Sequence, residues 1–178
     1  MRLPRPVGAR LRSVALNALW LAAALLAVHL WQTRQVPSGP APAFSAPAVA
    51  GQPGAQLSLA QWRAAHAGRP VALHFWADWC PICRLEQGHV TRVAADWPVL
   101  TVALRSGEAG AVRRALAERG LPWAAVVDPR GEIAAAYGVR AVPAFIVIGP
   151  GGELRASSVG YTSALGMRLR LWWAALRG

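Results

Sequence analysis

Hydrophobic and polar positions divide the chain into three stretches with different patterns. An uninterrupted apolar run extends from Val14 to Trp31. Residues 32–54 show no periodicity and are rich in proline, alanine and glycine. From residue 55 to residue 178, short apolar runs of strand length alternate with segments that carry apolar residues at helical spacing. This pattern predicts an apolar helix, a linker and one folded domain.

The apolar run 14–31 is predicted to be a membrane anchor. Its residues form about 27 Å of helix at 1.5 Å per residue, enough to cross a hydrocarbon core. Four arginines lie within residues 1–13 and only Arg34 follows the run closely. We therefore expect residues 1–13 in the cytoplasm, a single pass through the inner membrane, and the rest of the chain in the periplasm. A cleaved signal peptide is the alternative, but no small-x-small cleavage site follows the run closely.

Residues 32–54 are predicted to be a semi-extended tether that holds the domain off the membrane. Proline recurs along this stretch, at Pro37, Pro40, Pro42, Pro47 and Pro53. Proline-rich linkers adopt extended conformations without packing a core of their own. The folded domain is accordingly expected to begin at residue 55.

Residues 55–178 are predicted to form an α/β domain. Strands are expected over residues 71–76, 99–104 and 124–127, and an antiparallel hairpin over 145–148 and 154–159. Helices are expected over residues 58–67, 82–95, 109–119, 133–137 and 163–176, with Ser58 and Ser163 as the N-caps of the first and the last. Such alternation predicts a mixed sheet with parallel strands and helices on both faces. In the last helix, at least one of Trp172 and Trp173 is expected to face the core, because successive helical residues point about 100° apart.

Composition and charge narrow the class of protein. Hydrophobic residues make up 54% of the chain, which excludes a disordered protein, and two cysteines exclude a multi-disulfide miniprotein. The formal net charge is +11. Residues 36–178 carry 14 arginines against eight acids, a net charge of +6, and these arginines are scattered. This distribution indicates solvated helix faces rather than a nucleic-acid-binding surface.

The two cysteines, Cys80 and Cys83, follow a predicted buried strand and begin a predicted helix. The first helical turn has free N–H groups and the positive end of the helix dipole, and both favour a thiolate. Cys80 is predicted to be the exposed attacking sulfur, and Cys83 is predicted to resolve the mixed disulfide. Pro81 fits the first turn, where an N–H has no helical partner. The spacing indicates a redox-active pair.

Besides two inert thiols, which the flanking Trp79 and Pro81 disfavour, four alternatives to a disulfide-exchange site remain at this stage. A zinc site needs further ligands, and residues after the anchor offer only His66, His74 and His89. A purely structural disulfide would close too short a loop to stabilise the domain much. A Cu(I)-binding module of the copper-chaperone kind would use the same two thiolates. A peroxidase of the peroxiredoxin type is the fourth alternative.

Trp79-Cys80-Pro81-Ile82-Cys83 after an apolar strand resembles the thioredoxin superfamily. Together with residues 84–86, the anchor and the tether, it is similar to the anchored thioredoxin-like proteins of the TlpA, DsbE and ScsD type. Residues 159–172 are most similar to the ScsD branch, named for suppression of copper sensitivity. The resemblance implies a thioredoxin-like fold and a protein disulfide oxidoreductase of the reductant or isomerase kind. It also implies extracytoplasmic thiol proteins as substrates, a DsbD/ScsB-type membrane electron carrier as partner, and no cofactor beyond the Cys80–Cys83 disulfide.

The resemblance also implies a substrate-docking surface. Val142-Pro143 matches the proline that is cis in this superfamily and faces the cysteine pair. The residue before that proline pairs its backbone with an extended substrate segment, which makes Val142 and Pro143 docking candidates. Trp79, Pro81 and Ile82 flank the cysteines and complete the expected surface. An ordinary proline at the start of a strand is the alternative for Pro143.

Two residues are candidates for a proton relay to Cys83. Glu86 matches an acid common in the TlpA and DsbE relatives, one helical turn after Cys83. His74 occupies the strand position where thioredoxins carry a buried acid, which is a departure from the pattern. The alternatives are a surface helix acid for Glu86 and a hydrogen-bonded core histidine for His74.

Overall fold

The structure, a computed structural model, describes residues 7–33, 37–52 and 54–177. Parts of the predicted basic N-terminus (1–6) and of the predicted tether (34–36 and 53) lie outside the described residues. The chain divides into two compact units, Met1–Arg34 and Gln35–Gly178.

The described residues of the first unit form one helix, α1 (Val7–Thr33). Its described side chains include large exposed apolar residues: Val14, Leu16, Leu19, Trp20, Leu21 and Val28. A search of the described residues finds no helix whose length and apolar character would let it cross a membrane. Several side chains of the predicted anchor 14–31 lie outside the described residues.

The second unit contains eight short strands and five helices within the described residues. The strands are β1 (Gly39–Pro40), β2 (Ser45–Pro47), β3 (Gln56–Ser58), β4 (Val71–Trp76), β5 (Val99–Leu104), β6 (Ala124–Asp128), β7 (Ala144–Ile148) and β8 (Glu153–Val159). The helices are α2 (Leu59–Ala64), α3 (Pro81–Ala94), α4 (Ala109–Glu118), α5 (Glu132–Ala136) and α6 (Ala164–Ala175). The helices and strands predicted between residues 58 and 176 are all present, with ends shifted by up to a few residues.

A six-stranded mixed sheet in the order β1-β8-β7-β4-β5-β6 forms the centre of this unit. β4, β5 and β6 are parallel, whereas β7 and β8 run antiparallel to their neighbours. Every residue of β4 is buried, because helices cover both faces of the sheet. Residues of α3, α4 and α6 pack on one face, and residues of α2 and α5 pack on the other. The predicted thioredoxin-like α/β fold is confirmed.

Two predicted serine caps begin helices in the structure. The Ser58 hydroxyl accepts a hydrogen bond from the N–H of Gln61, whose side chain accepts one from the Ser58 N–H in turn. This reciprocal capping box satisfies donors that have no helical partner at the start of α2. Ser163 caps α6 by accepting from the N–H of Gly166. In both cases, a serine directly before residues with helical apolar spacing marked the start of the helix.

The described part of the predicted tether is structured, which corrects the domain boundary at residue 55. β1 pairs with β8, and β2 pairs with β3. Ala48 forms a bridge to Val126 of β6, and Ala46 and Val49 are buried. Backbone hydrogen bonds to existing strands hold this segment, and strands of two or three residues are too short to show periodicity. The domain includes residues 37–52.

The expectation that Trp172 or Trp173 faces the core was wrong. They are 48% and 41% exposed. The buried stripe of α6 consists instead of Ala164, Met167, Leu171 and Ala174. Its spacing of three and four residues turns both tryptophans away from the sheet. The guanidinium of Arg177 lies 4.2 Å from the ring centre of Trp173, a cation–π contact at the surface.

Candidate active site

Cys80 and Cys83 lie where the central strand β4 is followed by α3. Cys80 is the N-cap of α3 with extended backbone angles (φ −88°, ψ 111°), and Pro81 occupies the first turn. The two cysteines form a disulfide with a Cα–Cα distance of 5.3 Å. The N–H of Cys83 donates to Sγ of Cys80 at 3.2 Å. An N–H aimed at this sulfur, together with the helix dipole, stabilises a Cys80 thiolate after reduction.

The predicted exposure of Cys80 is not observed in this disulfide-bonded form. Cys80 is 4% exposed and Cys83 is 2% exposed. The carbonyl oxygen of Val142 lies 3.7 Å from Sγ of Cys80 and covers part of the sulfur. The neighbouring apolar side chains of Trp79, Ile82 and Leu85 are exposed instead. A substrate therefore meets an apolar surface around a nearly covered sulfur.

The loop before Cys80 is held by the loop that follows β5. The indole N–H of Trp79 donates to the carbonyl oxygen of Arg105 at 3.2 Å. The N–H of Asp78 donates to the hydroxyl of Ser106 at 2.9 Å. The carboxylate of Asp78 forms an ion pair with Arg119. These contacts orient Trp79, which is 60% exposed, beside the disulfide.

The peptide bond between Val142 and Pro143 is cis. The carbonyl oxygen of Pro143 accepts a hydrogen bond from the N–H of Gly160 at 2.8 Å, and β7 begins at the next residue, Ala144. Val142 is partly buried and Pro143 is buried, whereas Pro81 and Ile82 are exposed. The structure thus brings the Val142 carbonyl close to Cys80. The other predicted docking residues are chain neighbours of Cys80: Trp79 precedes it, and Pro81 and Ile82 are in the first turn of α3.

Glu86 is a buried acid, not a surface residue of α3. It is 1% exposed, and neither carboxylate oxygen has a hydrogen-bond partner of good geometry among the described residues. Burial raises the pKa of Glu86 to about 7, and the nearby backbone of Thr162 lowers that pKa only in part. Glu86 lies three residues after Cys83 on the same helix, so both face the same side of α3.

His74 is fully buried in β4 on the side of the sheet that α3 covers. Its ring packs edge-on against Trp123, with ring centres 5.8 Å apart, and at a tilt against Phe145. Neither ring nitrogen has a hydrogen-bond partner among the described residues. Burial lowers the pKa of His74 to about 3, so the ring is neutral at neutral pH. His74 is a core histidine, but without the hydrogen bond that its alternative interpretation expected.

The two other histidines of the second unit, His66 and His89, each have polar contacts away from the cysteines. Nδ1 of His66 is 2.8 Å from the carbonyl oxygen of Trp62. His89 lies between Arg92 and Tyr161, with each contact at 2.6 Å. Within the part of the chain that the structure describes, no three His, Cys, Asp or Glu side chains are grouped so as to hold a metal ion.

Sequence reasoning missed the residues that support the cysteine loop. Arg105, Ser106 and Arg119 are 25 or more residues after Cys80, and no motif joins them to it. Arg105 stands out in the structure alone, because its φ of 46° is unusual for a residue other than glycine. Parallel pairing of β4 with β5 brings this loop to the cysteines, because the carboxyl ends of parallel strands lie at one edge of a sheet.

Comparison with known proteins gives consistent matches. The model of the AhpC/TSA family matches residues 37–157. The "Thiol:disulfide interchange protein DsbE homolog" of Paracoccus denitrificans is 44% identical over 70 residues, 39% of this chain and 38% of that protein. The "Thioredoxin-like protein" of Haemophilus influenzae is 31% identical over 111 residues, 62% of this chain and 66% of that protein. The chain thus matches less than two thirds of the length of either relative.

A solved structure extends the similarity to three quarters of the chain. The crystal structure of a secreted disulfide oxidoreductase of Mycobacterium tuberculosis, described as homologous to DsbE of E. coli, is 26% identical. It covers 75% of this chain and 95% of that chain, with a TM-score of 0.57. This chain therefore shares its fold with a disulfide oxidoreductase homologue, and it carries a close pair of cysteines.

Proposed function

Since the chain belongs to the AhpC/TSA family, we propose that it is a protein thiol–disulfide oxidoreductase that works through Cys80 and Cys83. The observation that carries the proposal is the disulfide at the start of α3, with the Cys83 N–H donating to Cys80 Sγ and the Val142 carbonyl 3.7 Å from that sulfur. The proposal agrees with the names of the relatives, which are thiol:disulfide interchange proteins.

The proposed reaction consists of two thiol–disulfide exchanges. The Cys80 thiolate attacks one sulfur of a substrate disulfide, the substrate S–S bond breaks, and the other substrate sulfur leaves as a thiolate. The Cys83 thiolate then attacks Cys80 Sγ and releases the second substrate sulfur. Two electrons pass to the substrate, and the Cys80–Cys83 disulfide forms. The reverse sequence oxidises a substrate dithiol.

Substrate docking is proposed to use the surface around Cys80. Trp79, Pro81 and Ile82 supply exposed area, and the backbone of Val142 before Pro143 supplies an edge for an extended segment. The Val142 carbonyl is the acceptor nearest to the reacting sulfur that the structure records. A segment paired with this backbone would carry its own cysteine sulfur toward Cys80.

Glu86 is proposed to take the proton that Cys83 loses when it attacks. A general base works best when its pKa lies near the working pH, and burial raises the pKa of Glu86 to about 7. Glu86 is one helical turn from Cys83 and has unpaired oxygens within the described residues. His74 is the second candidate, but a ring with a pKa of about 3 is a weak proton acceptor at neutral pH.

We also propose an extracytoplasmic location, with the apolar run 14–31 as the membrane anchor, and a reductant or isomerase role. The arginines before residue 14 and the exposed apolar side chains of α1 support this location. A DsbD/ScsB-type carrier would then re-reduce the pair, and ScsD-like proteins suggest a link to copper stress. Peptides that contain Arg2, recovered from carbonate-washed membranes, would support the anchor, and a mature chain beginning after residue 35 would contradict it.

A trapping experiment tests the proposed oxidoreductase. In the full chain, Cys83→Ser removes the resolving thiol, so we expect mixed disulfides with extracytoplasmic proteins to accumulate through Cys80. Cys80→Ser is the matched control and should trap almost none. Equal trapping by both variants, or by neither, would contradict the assigned roles.

The reduction potential of the wild-type pair gives the direction of the reaction. A value near about −270 mV indicates a reductant, and a value near about −120 mV indicates an oxidant. We expect the former.

A further inference from the structure

A cavity of about 710 Å³ opens beside the cysteine loop. One wall is the end of β5 and the loop after it, with Leu104 and Arg105. The other wall is α5 and the turn that leads to Val142, with Val139 and Arg140. Both walls belong to segments that contact the site, through the Trp79–Arg105 hydrogen bond and the Val142–Cys80 contact. The cavity is therefore lined by segments that also contact the cysteine loop, and neither cysteine lines it.

Arg105 is held in place at one wall of this cavity. Its backbone has a φ of 46°, in the left-handed region that favours glycine, while its carbonyl accepts the Trp79 hydrogen bond. Its guanidinium lies over Gly131, where a Cβ would be 3.4 Å from Nε and 3.5 Å from Nη2. Gly131 thus leaves room for this side chain. The Arg105 guanidinium therefore lies along this wall of the cavity. Its backbone is held by the Trp79 hydrogen bond, and its side chain rests against Gly131.

Arg140 supplies a second cation at the opposite wall, two residues before Val142. In residues 54–177, the ion pairs use other arginines, namely Arg119, Arg130, Arg155 and Arg168. No hydrogen bond or ion pair of the Arg105 or Arg140 guanidinium occurs among the described residues. Two cations from different segments therefore line one cavity without an internal carboxylate between them.

The acids on the surrounding elements are engaged elsewhere. Glu132 pairs with Arg130, and Asp128 is buried and accepts from the N–H of Ala134 at 2.9 Å. Glu132, then Asp128 and Glu108, raise the pKa of Arg130. The positive charge at the cavity is thus not cancelled by an ion pair with any of these three acids.

We propose that this cavity binds an acidic side chain, Asp or Glu, of the protein substrate near its target cysteine. The inference rests on the proposed oxidoreductase function and adds a sequence preference to it. Guanidinium groups bind carboxylates through paired N–H donors, and two of them favour a carboxylate over an amide of the same shape. A segment that lies along Val142 would pass Arg140 and reach the cavity with a side chain.

Synthetic peptides test this preference with the reduced full chain. Each nine-residue peptide has one central cysteine in a mixed disulfide with 2-mercaptoethanol, which carries no ionised substituent that could itself bind the arginines. Glu, Gln or Lys is placed in turn at each of the four positions on either side, and the rate of peptide-thiol release is measured. We expect one position at which Glu reacts about fivefold faster than Gln, and Lys more slowly. High salt should weaken this preference because it screens exposed charges.

Variants of the full chain assign the preference to the cavity. Arg105→Gln combined with Arg140→Gln should give equal rates for Glu and Gln, and Arg140→Glu alone should favour Lys. Arg114→Gln is the matched control, since Arg114 is exposed and does not line the cavity, and it should retain the preference. If the double variant does not fold, the salt dependence of the wild type and the Arg140→Glu variant still decide the question.

The possible failures are distinguishable. Equal rates for Glu, Gln and Lys at all positions, with rapid exchange of every peptide, would overturn the proposed cavity and leave the oxidoreductase function intact. Preference retained in the double variant would also overturn it. No exchange with any peptide, by a chain whose disulfide dithiothreitol reduces normally, would overturn the proposed function itself.

Discussion

Glu86 and His74 are buried on the same side of the sheet, and burial moves their pKa values in opposite directions. An acid without partners holds its proton more tightly, and a base without partners releases its proton more easily. The pKa of Glu86 is raised to about 7 and that of His74 is lowered to about 3. Between about pH 3 and about pH 7, both side chains are therefore neutral, and neither places a charge in the core.

We predict that Glu86→Gln slows the resolving step at pH 7 by at least about tenfold, because the proton acceptor for Cys83 is lost. In the wild type, the rate of this step should rise with pH through about 7, as the carboxylate forms. The variant should lose that inflection. Stopped-flow decay of a Cys80 mixed disulfide between pH 5 and pH 9 measures the rate at pH 7 and the inflection of the pH profile. An exposed acid, Glu118→Gln, is the matched control, and an inflection that persists in Glu86→Gln would remove Glu86 from the mechanism.

Protein stability offers a second readout for the same variant. A carboxyl with a pKa raised from 4.5 to about 7 stabilises the fold fully below pH 4.5, and this contribution is lost as the pH rises to about 7. The loss is on the order of 3 kcal/mol. Glu86→Gln should remove this part of the pH dependence of unfolding. The contribution of His74 has the opposite sign, since it is present above pH 6.5 and is lost as the pH falls toward 3.

At the scale of elements, α6 carries apolar residues on two faces, of which one is buried and the other is exposed. Met167 and Leu171 lie against the sheet, whereas Leu165, Leu169 and Trp172 face outward. Helical spacing alone did not identify the buried stripe, because apolar residues occur on both faces. Only the contacts with β7, β8 and α3 select one face.

We predict that Met167→Ala lowers the free energy of unfolding by about 2–4 kcal/mol, because it leaves a cavity in a fully buried position. Leu169→Ala, two residues away and 53% exposed, should cost less than about 0.5 kcal/mol. Denaturant unfolding of both variants at one pH gives the comparison. Similar losses for the two would mean that the outer face of α6 is covered in solution.

The accuracy of the sequence predictions depended on the length of each element. β4 and β5 are long apolar runs, and Ser58 and Ser163 are polar caps before helices, so the sequence predicted them. β1 and β2 are held by backbone hydrogen bonds and leave no pattern of side chains. The cysteine pair was predictable because its two residues lie three positions apart in one motif. Arg105 and the burial of Glu86 were not, because they depend on segments distant in sequence.

At the scale of the whole second unit, residues 37–52 cover both edges of the large sheet. β1 lies along β8 at one edge, and the Ala48 bridge lies along β6 at the other. The N–H of Val49 also donates to the carbonyl oxygen of Ala125 at 2.9 Å. Uncovered strand edges are templates for pairing with other chains, so this segment protects the sheet.

We predict that a chain beginning at residue 55 is less stable than one beginning at residue 37 and associates with itself. Both truncated chains lack α1, so the comparison isolates the segment that covers the edges. Sedimentation velocity and thermal unfolding at matched concentrations measure the two effects. Identical sedimentation and midpoints would mean that the edges need no cover.

The central position of β4 has a consequence for the time scales of motion. β4 has a hydrogen-bonded strand on each side and helices over both faces, so its amide protons exchange with solvent only when the whole sheet opens. The cysteine loop at its end is held by a few side-chain contacts that break individually. The loop can therefore rearrange around the cysteines while the sheet beneath it stays folded.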